Sequence, residues 1–436
     1  MIIRYLAPLL CLISLSAQTV LDASKVTETY CSGCHNGRMR SPSAVLLDQF
    51  DATRISANPD IWSRAYRQLQ AGTMPPVGAP RPDRATYDAV LTSIEQALGV
   101  ESKPPAAASS QQIATRLAVL LWNSAPDAPL LEDAQRDRLT DPATLERQIH
   151  RMLADDRAQA FVKSFFFPWL QLDKLGNSEP DKKYFPDYDA SLRDSLARET
   201  ELFLLSQLRD DCDPIELWSA DYTFVNEQLA RHYEISNVTG PQFRRVSWSK
   251  PERAGLLGQG SILMLTSTPL YSSPATRGKW IRTHFLGVAP PNPFPNAQPV
   301  EPELPITPQT RTLPADPCVT CHRNFFPLGY ALENFDPVGR WRTHDQLGPV
   351  DASGAFVDGT STNGVVELRR VLLQRPEAFR TTITEKLLAY SSTGSVGNSG
   401  GTPQTLIRAR QILRNTQQPR WSAIIAAIVQ AMPDSE

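Results

Sequence analysis

The chain has 436 residues, 41% hydrophobic and 21% charged, enough apolar material for two or three domains with cores of their own. Its net charge of -2 and pI near 6.3 argue against a surface built for nucleic acid or anionic membrane.

Met1 to Arg4 is a short positive start, Tyr5 to Leu15 is an apolar run, and Ser14, Ser16 and Ala17 offer a cleavage site before Gln18. This is the pattern of a secretory signal peptide over residues 1–17, and it predicts a periplasmic or secreted protein. The run is shorter than the ~20 residues that cross a bilayer, and no later segment is long and uncharged enough, so no transmembrane anchor is expected after signal removal. Cys11 has no small residue directly before it, as a lipoprotein signal would, and leaves with the peptide.

Residues 18–98 read as a small cytochrome c domain. Val26, Thr29 and Tyr30 form a short helix that leads into Cys31-Ser32-Gly33-Cys34-His35, the c-type haem attachment pattern. In it two thiols add to the haem vinyl groups and the histidine binds the iron from one face. A second helix, Asp60 to Gln70, carries Trp62, Tyr66 and Leu69 on one side. Ala71-Gly72-Thr73-Met74-Pro75-Pro76 then puts a methionine on a proline-stiffened segment 39 residues after His35, before a closing helix from Asp83 to Leu98. Met74 is therefore the expected sixth ligand, and a His/Met pair raises the potential.

Residues 99–110 are a Pro, Ala and Ser linker, read as a semi-extended tether. In 111–288 helical periodicity runs over Ile113 to Asn123, Asp141 to Ala154, Asp156 to Leu175 with a kink at Pro168, Ala190 to Leu208, Asn226 to Tyr233, Arg253 to Thr266 and Thr276 to Leu286. Phe161, Phe165, Phe166 and Trp169 form a stripe that suits a packed core. Cys212 stands between Asp211 and Asp213, which raise a thiol pKa and make it unreactive. Residues 289–317 hold ten prolines from Pro290 to Pro317 and form a stiff strap.

The strap delivers a second attachment motif, Cys318-Val319-Thr320-Cys321-His322. Six Cys and six His would produce one such motif by chance only about 0.001 times per chain, so two predict two covalently bound haem c groups. A four-cysteine zinc site is the weaker reading, because zinc pairs lie closer in sequence, and a redox dithiol needs no histidine. Residues 318–362 continue into a short hairpin within Gly339 to Thr360, and 363–436 return to helix over Gly364 to Gln374, Glu377 to Tyr390, Pro403 to Leu413 and Arg420 to Met432. The fold class is mainly α: a small cytochrome c domain and a larger helical domain carrying the second motif.

No Met-Pro segment comes after His322, so its sixth ligand comes from elsewhere or is absent, with His232, His284, His344, Met264 and His150 as possible donors. Arg340 and Arg342, 18 and 20 residues beyond His322, are candidates to pair haem propionates, or are ordinary strand-end arginines.

Four runs carry a resemblance: Phe224 to Tyr233 (FVNEQLARHY), Leu256 to Leu263 (LLGQGSIL), Ser273 to Trp280 (SPATRGKW), and Gly329 to Asp336 (GYALENFD) with Gly339 to Arg342 (GRWR). Over nearly all of the chain beyond its signal it resembles a large family of planctomycete and acidobacterial secreted proteins, built from consecutive domains of unknown function with cytochrome c motifs. The resemblance implies no established reaction. It favours His232, which falls in a family-like run, over His284 and His344. The chain departs from the pattern in a segment missing after the first module, in Phe325-Phe326, and in Leu388 to Gly394.

Two functions compete on these residues. With both haems six-coordinate, the protein transfers electrons with a redox partner protein or a small-molecule donor or acceptor. With an open second haem it is peroxidase- or oxidase-like, the first haem acting as relay. A third reading makes the helical region a haem-bearing binding scaffold.

Overall fold

The computed structural model describes residues 23–38, 45–100, 106–290, 323–345, 348–356, 358–396, 402–414 and 419–433. The signal peptide, the strap, Cys318, Cys321 and His322 therefore lie outside the described residues. The described chain is mainly α, with three two-stranded antiparallel sheets.

Several of the described helices start where a short polar side chain takes up a free N-terminal amide. Asp83 caps Arg84–Leu98, Asp141 caps Pro142–Ala154, Asp189 caps Ala190–Arg209, Asn226 caps Glu227–His232 and Ser273 caps Pro274–His284. Ser109 and Gln112 form a reciprocal capping box on Ser110–Trp122.

One core runs through helices Ser110–Trp122, Pro142–Ala154, Pro274–His284, Gly364–Leu373, Pro376–Thr393 and Trp421–Ala431, and takes in the C-terminal half of Ala190–Arg209. The helical and C-terminal stretches thus share an interior. The Phe161, Phe165, Phe166 and Trp169 stripe packs inside it, Phe161 stacked on Phe165 at 5.1 Å. A second cluster joins Leu192 and Leu196 to Val225, Leu229, Tyr233, Met264 and Val338. The third is the first module's own: Ala23, Val26, Trp62, Tyr66, Ile94 and Leu98, closed by Ile407 from the C-terminal helix Pro403–Arg414.

Two predicted helices are broken. Asp156 to Leu175 becomes Ala158–Phe161, a π turn Val162–Phe166, Phe167–Leu170 and a 3-10 turn Leu172–Asn177. Pro168 cannot donate to the carbonyl four residues back, and the wider turn lies just before it. Arg253 to Thr266 keeps only Gly260–Leu265 as α-helix. Gly255 sits at φ 64°, and a Cβ there would lie 2.3 Å from the Trp218 carbonyl carbon, so this backbone turns tightly against a neighbour instead of coiling.

The first module is not held by its linker alone. Arg67, buried, donates to Thr382 Oγ1 at 2.8 Å and pairs with Glu385 at 3.3 Å. The buried Glu95 pairs with Arg410 and Arg414. The module is therefore clamped to helices Pro376–Thr393 and Pro403–Arg414.

Candidate functional site

Helix Ala23–Tyr30 ends one residue before Cys31, and the chain then turns tightly, His35 N–H donating to the Cys31 carbonyl at 2.9 Å. Neither Cys31 nor Cys34 is in a disulfide; Cys31 is half-buried and Cys34 exposed. Burial, and secondarily Cys34, push the Cys31 thiol up to about 11. His35 Nδ1 lies 2.9 Å from the Val45 carbonyl oxygen. A carbonyl only accepts, so Nδ1 carries the proton and Nε2 of the neutral ring keeps the lone pair a metal needs.

Met74 is half-buried, and its carbonyl accepts from Tyr87 Oη at 2.6 Å. Arg81 braces the same loop, donating to the carbonyls of Gly72, at 2.9 Å, and Pro75. Tyr87 also links the two halves of the site: its pKa is raised by burial first, then moved by Arg81 and by Cys31, so the phenol that holds Met74 lies within the field of the motif. Two free thiols, an imidazole presenting Nε2 and a fixed thioether segment fit a covalently held haem.

Just beyond the second motif, helix Phe326–Tyr330 crosses Pro274–His284 at two glycines. A Cβ on Gly278 would lie 1.8 Å from the Phe325 carbonyl oxygen, and one on Gly329 would lie 1.9 Å from that of Pro274. The rings of Phe325 and Phe326 lie against each other, their centroids 5.2 Å apart.

The family-like runs meet in space. Arg277, fully buried, donates to the carbonyls of Leu332 and Phe335 and pairs with Glu333 at 3.3 Å. Glu333 also accepts from Ser272 at 2.6 Å and pairs with Arg342 at 3.4 Å. Tyr233 donates to the buried Glu199 at 2.7 Å and accepts from Gly260 N–H at 2.8 Å. Burial raises Glu199 to about 7 against its bonds from Thr223 and Tyr233. Beside this knot a cavity of about 260 Å³ is lined by His232, Trp248, Arg253, Arg340 and Trp341 among others.

His232 is engaged at both ring nitrogens: Nε2 lies 2.7 Å from the Val338 carbonyl and Nδ1 3.4 Å from Arg340 Nε. Burial pushes its pKa down to about 4. Arg340 also reaches Asp187 at 2.9 Å. In this arrangement His232, Arg340 and Arg342 all have protein partners, and they tie the runs together. Of the other donors, His344 and His150 are exposed, and His150 lies 3.1 Å from Asp211. Met264 is packed in the second core. His284 is buried, and among the described residues neither of its ring nitrogens has a hydrogen-bond partner. Sequence reading missed Tyr87, Arg81 and the Arg277–Glu333 pair; the last joins residues 56 apart with no local pattern to announce it.

Two family models match the chain: PSD4, a protein of unknown function (DUF1592), over residues 109–235, and PSCyt3, a protein of unknown function (DUF1588), over residues 253–345. The helical region that houses the knot and the segment around the second motif thus resemble parts of a multidomain family of no established function. The pocket lies at the seam of the two matched stretches, with His232 from one and Arg253 and Arg340 from the other. None of the curated proteins and none of the solved structures matches the chain. No described helix is long and apolar enough to cross a membrane. Among the described residues no three His, Cys, Asp or Glu gather to hold a metal ion.

Proposed function

We propose that this chain is an exported dihaem c-type cytochrome that transfers electrons in the periplasm, exchanging them with a redox partner protein or a small-molecule donor or acceptor. The observation that supports it best is the His35 to Val45 hydrogen bond, which fixes the ring tautomer an iron requires directly after two free thiols. Bound there, haem c supplies one-electron exchange between ferric and ferrous iron. Cys31 and Cys34 would hold its vinyl carbons, and His35 Nε2 and the Met74 thioether would hold its iron. Tyr87 and Arg81 keep the Met74 backbone in place, so the thioether is presented without rearrangement; such ligation favours the ferrous state. The repeated motif at Cys318 to His322 supports a second group of the same kind.

The test is the ferric protein's optical and EPR spectrum, with cyanide and peroxide added. Electron transfer predicts two low-spin haems, no cyanide complex and no peroxide turnover. One high-spin haem that binds cyanide and consumes peroxide would make the second site catalytic.

A further inference from the structure

The cavity beside the knot has a buried cation in its wall. Arg253, at the end of the 3-10 turn Pro251–Arg253, is 5% exposed, and its guanidinium carbon lies 4.4 Å from the centre of the Tyr233 ring and 4.9 Å from that of Phe335. Packed against these rings, it can bond only through its in-plane N–H donors. Nη1 donates to the Gly258 carbonyl at 3.1 Å; among the described residues Nε and Nη2 meet no acceptor, and no carboxylate pairs with the group. The buried Arg67 and Arg277, by contrast, pair with Glu385 and Glu333. A buried charge without a counter-charge is costly, so a guanidinium held beside a cavity in this way suits an anion.

The other charges on the cavity are matched. At its rim Lys250 pairs with Glu234 at 3.4 Å, and Arg340 pairs with Asp187 at 2.9 Å. Glu252 shares the wall, but its charge acts on Arg369, whose Nη2 donates to the Glu252 carbonyl at 3.1 Å. His232 is neutral, its Nδ1 accepting from Arg340 and its Nε2 donating to Val338.

The same packing supplies flat apolar surface. Trp248 stands edge-on to Tyr233, centroids 5.6 Å apart, and Trp341 edge-on to Phe335 at 5.1 Å; both indoles are only half-buried. An inorganic anion would leave these indoles unused, and a neutral aromatic would leave Arg253 unpaired. The volume, about 260 Å³, lies just below the roughly 300–1,000 Å³ of common small-molecule sites.

We infer that this cavity binds a small organic carboxylate with a flat apolar body, the carboxylate on Arg253 and the body against Trp248 and Trp341. Nε and Nη2 can meet two carboxylate oxygens through parallel bonds, which selects the acid over a neutral amide of the same shape. Tyr233 belongs to the matched stretch 109–235 and Arg253 and Trp341 to the stretch 253–345, so the ligand sits where the two join. Binding here is independent of haem.

The experiment is isothermal titration calorimetry of the purified full chain with benzoate, benzamide, acetate and inorganic phosphate. It is repeated on Arg253→Met and Trp248→Leu, with circular dichroism to check that each variant folds. Benzoate is expected to bind about tenfold or more tightly than the other three, and to weaken about tenfold in Arg253→Met and severalfold in Trp248→Leu. If Arg253→Met does not fold, the contrast between benzoate and benzamide on the unsubstituted chain decides the role of the charge. Benzoate that binds no better than benzamide, or equally well to folded Arg253→Met, would overturn the carboxylate site. Acetate or phosphate binding as tightly as benzoate, or an unchanged affinity in Trp248→Leu, would overturn the flat body. No benzoate binding at all would overturn the whole assignment.

Discussion

Val45 and Tyr87 do comparable work on the two sides of the first site, one fixing the tautomer of His35 and the other the backbone of Met74. Met74→Ala removes only the thioether, so on the proposed dihaem function it should turn the first ferric haem high-spin and lower its potential while leaving the second signal alone. Spectroscopy with redox titration checks this, and an unchanged spectrum would place the ligand elsewhere. Glu199 gives a pH prediction. Its folded pKa, about 7, lies above the ordinary 4.5, so between those values only the unfolded state has lost the proton. Stability is then fullest below about pH 4.5 and falls as pH rises toward 7, by a contribution on the order of 3 kcal/mol. Urea titrations across that window should show this fall in the native chain and its loss in Glu199→Gln. Single residues stand out in the sequence where candidate chemistry sits in a local pattern, as in Cys31 to His35 or Met74 before two prolines. The direction for Cys212 was legible too: its thiol is pushed up to about 12, by burial first and then by Glu216 and Asp210, where the sequence suggested its immediate neighbours. The engagement of His232 was not, because its carbonyl partner, Val338, is 106 residues away.

At the scale of elements, periodicity with capping residues located most helices to within a few residues, Pro59–Gln70 and Arg84–Leu98 among them. It failed where tertiary contact overrode it. Gly255 and Gly258 admit the backbones of Trp218 and Arg253, which a regular helix over 253–266 would block. The hairpin Tyr222–Val225 with Arg244–Ser247 escaped notice because a helix, Glu227–His232, is inserted between its strands. Helix Ala128–Gln135 was missed as well, being only eight residues long with a proline at its start. The crossing at Gly278 carries an element-scale prediction. Gly278→Ala must push the Phe325 backbone away, so it should cost about 1–3 kcal/mol and loosen the segment directly after the second motif. Denaturant titration gives the stability. Spectra of the second haem should become heterogeneous while the first stays sharp, and equal disturbance of both would mean the crossing does not serve the second site.

In the whole molecule, the mainly α fold was legible from helical periodicity, but the joining of its parts was not. A tether reading of 99–110 gave no sign that Arg67, Tyr66 and Glu95 would meet Thr382, Arg410 and Arg414 more than 300 residues away. Those contacts set the first module against the end of helix Pro274–His284, through Arg67 to Leu286 and Arg282 to Gln68. Ion pairs and buried hydrogen bonds thus fix the first module against the C-terminal helices and the end of helix Pro274–His284. Electron transfer within the chain depends on there being two redox centres. The direct measurement is to express the chain with its signal peptide in a host that attaches c-type haem, denature the exported protein, and count the haem still covalently bound by intact mass and pyridine haemochrome absorbance. Two haems per polypeptide are predicted, falling to one when Cys31 and Cys34 are both replaced by Ala. A haem-free chain, or one that carries zinc instead, would contradict it.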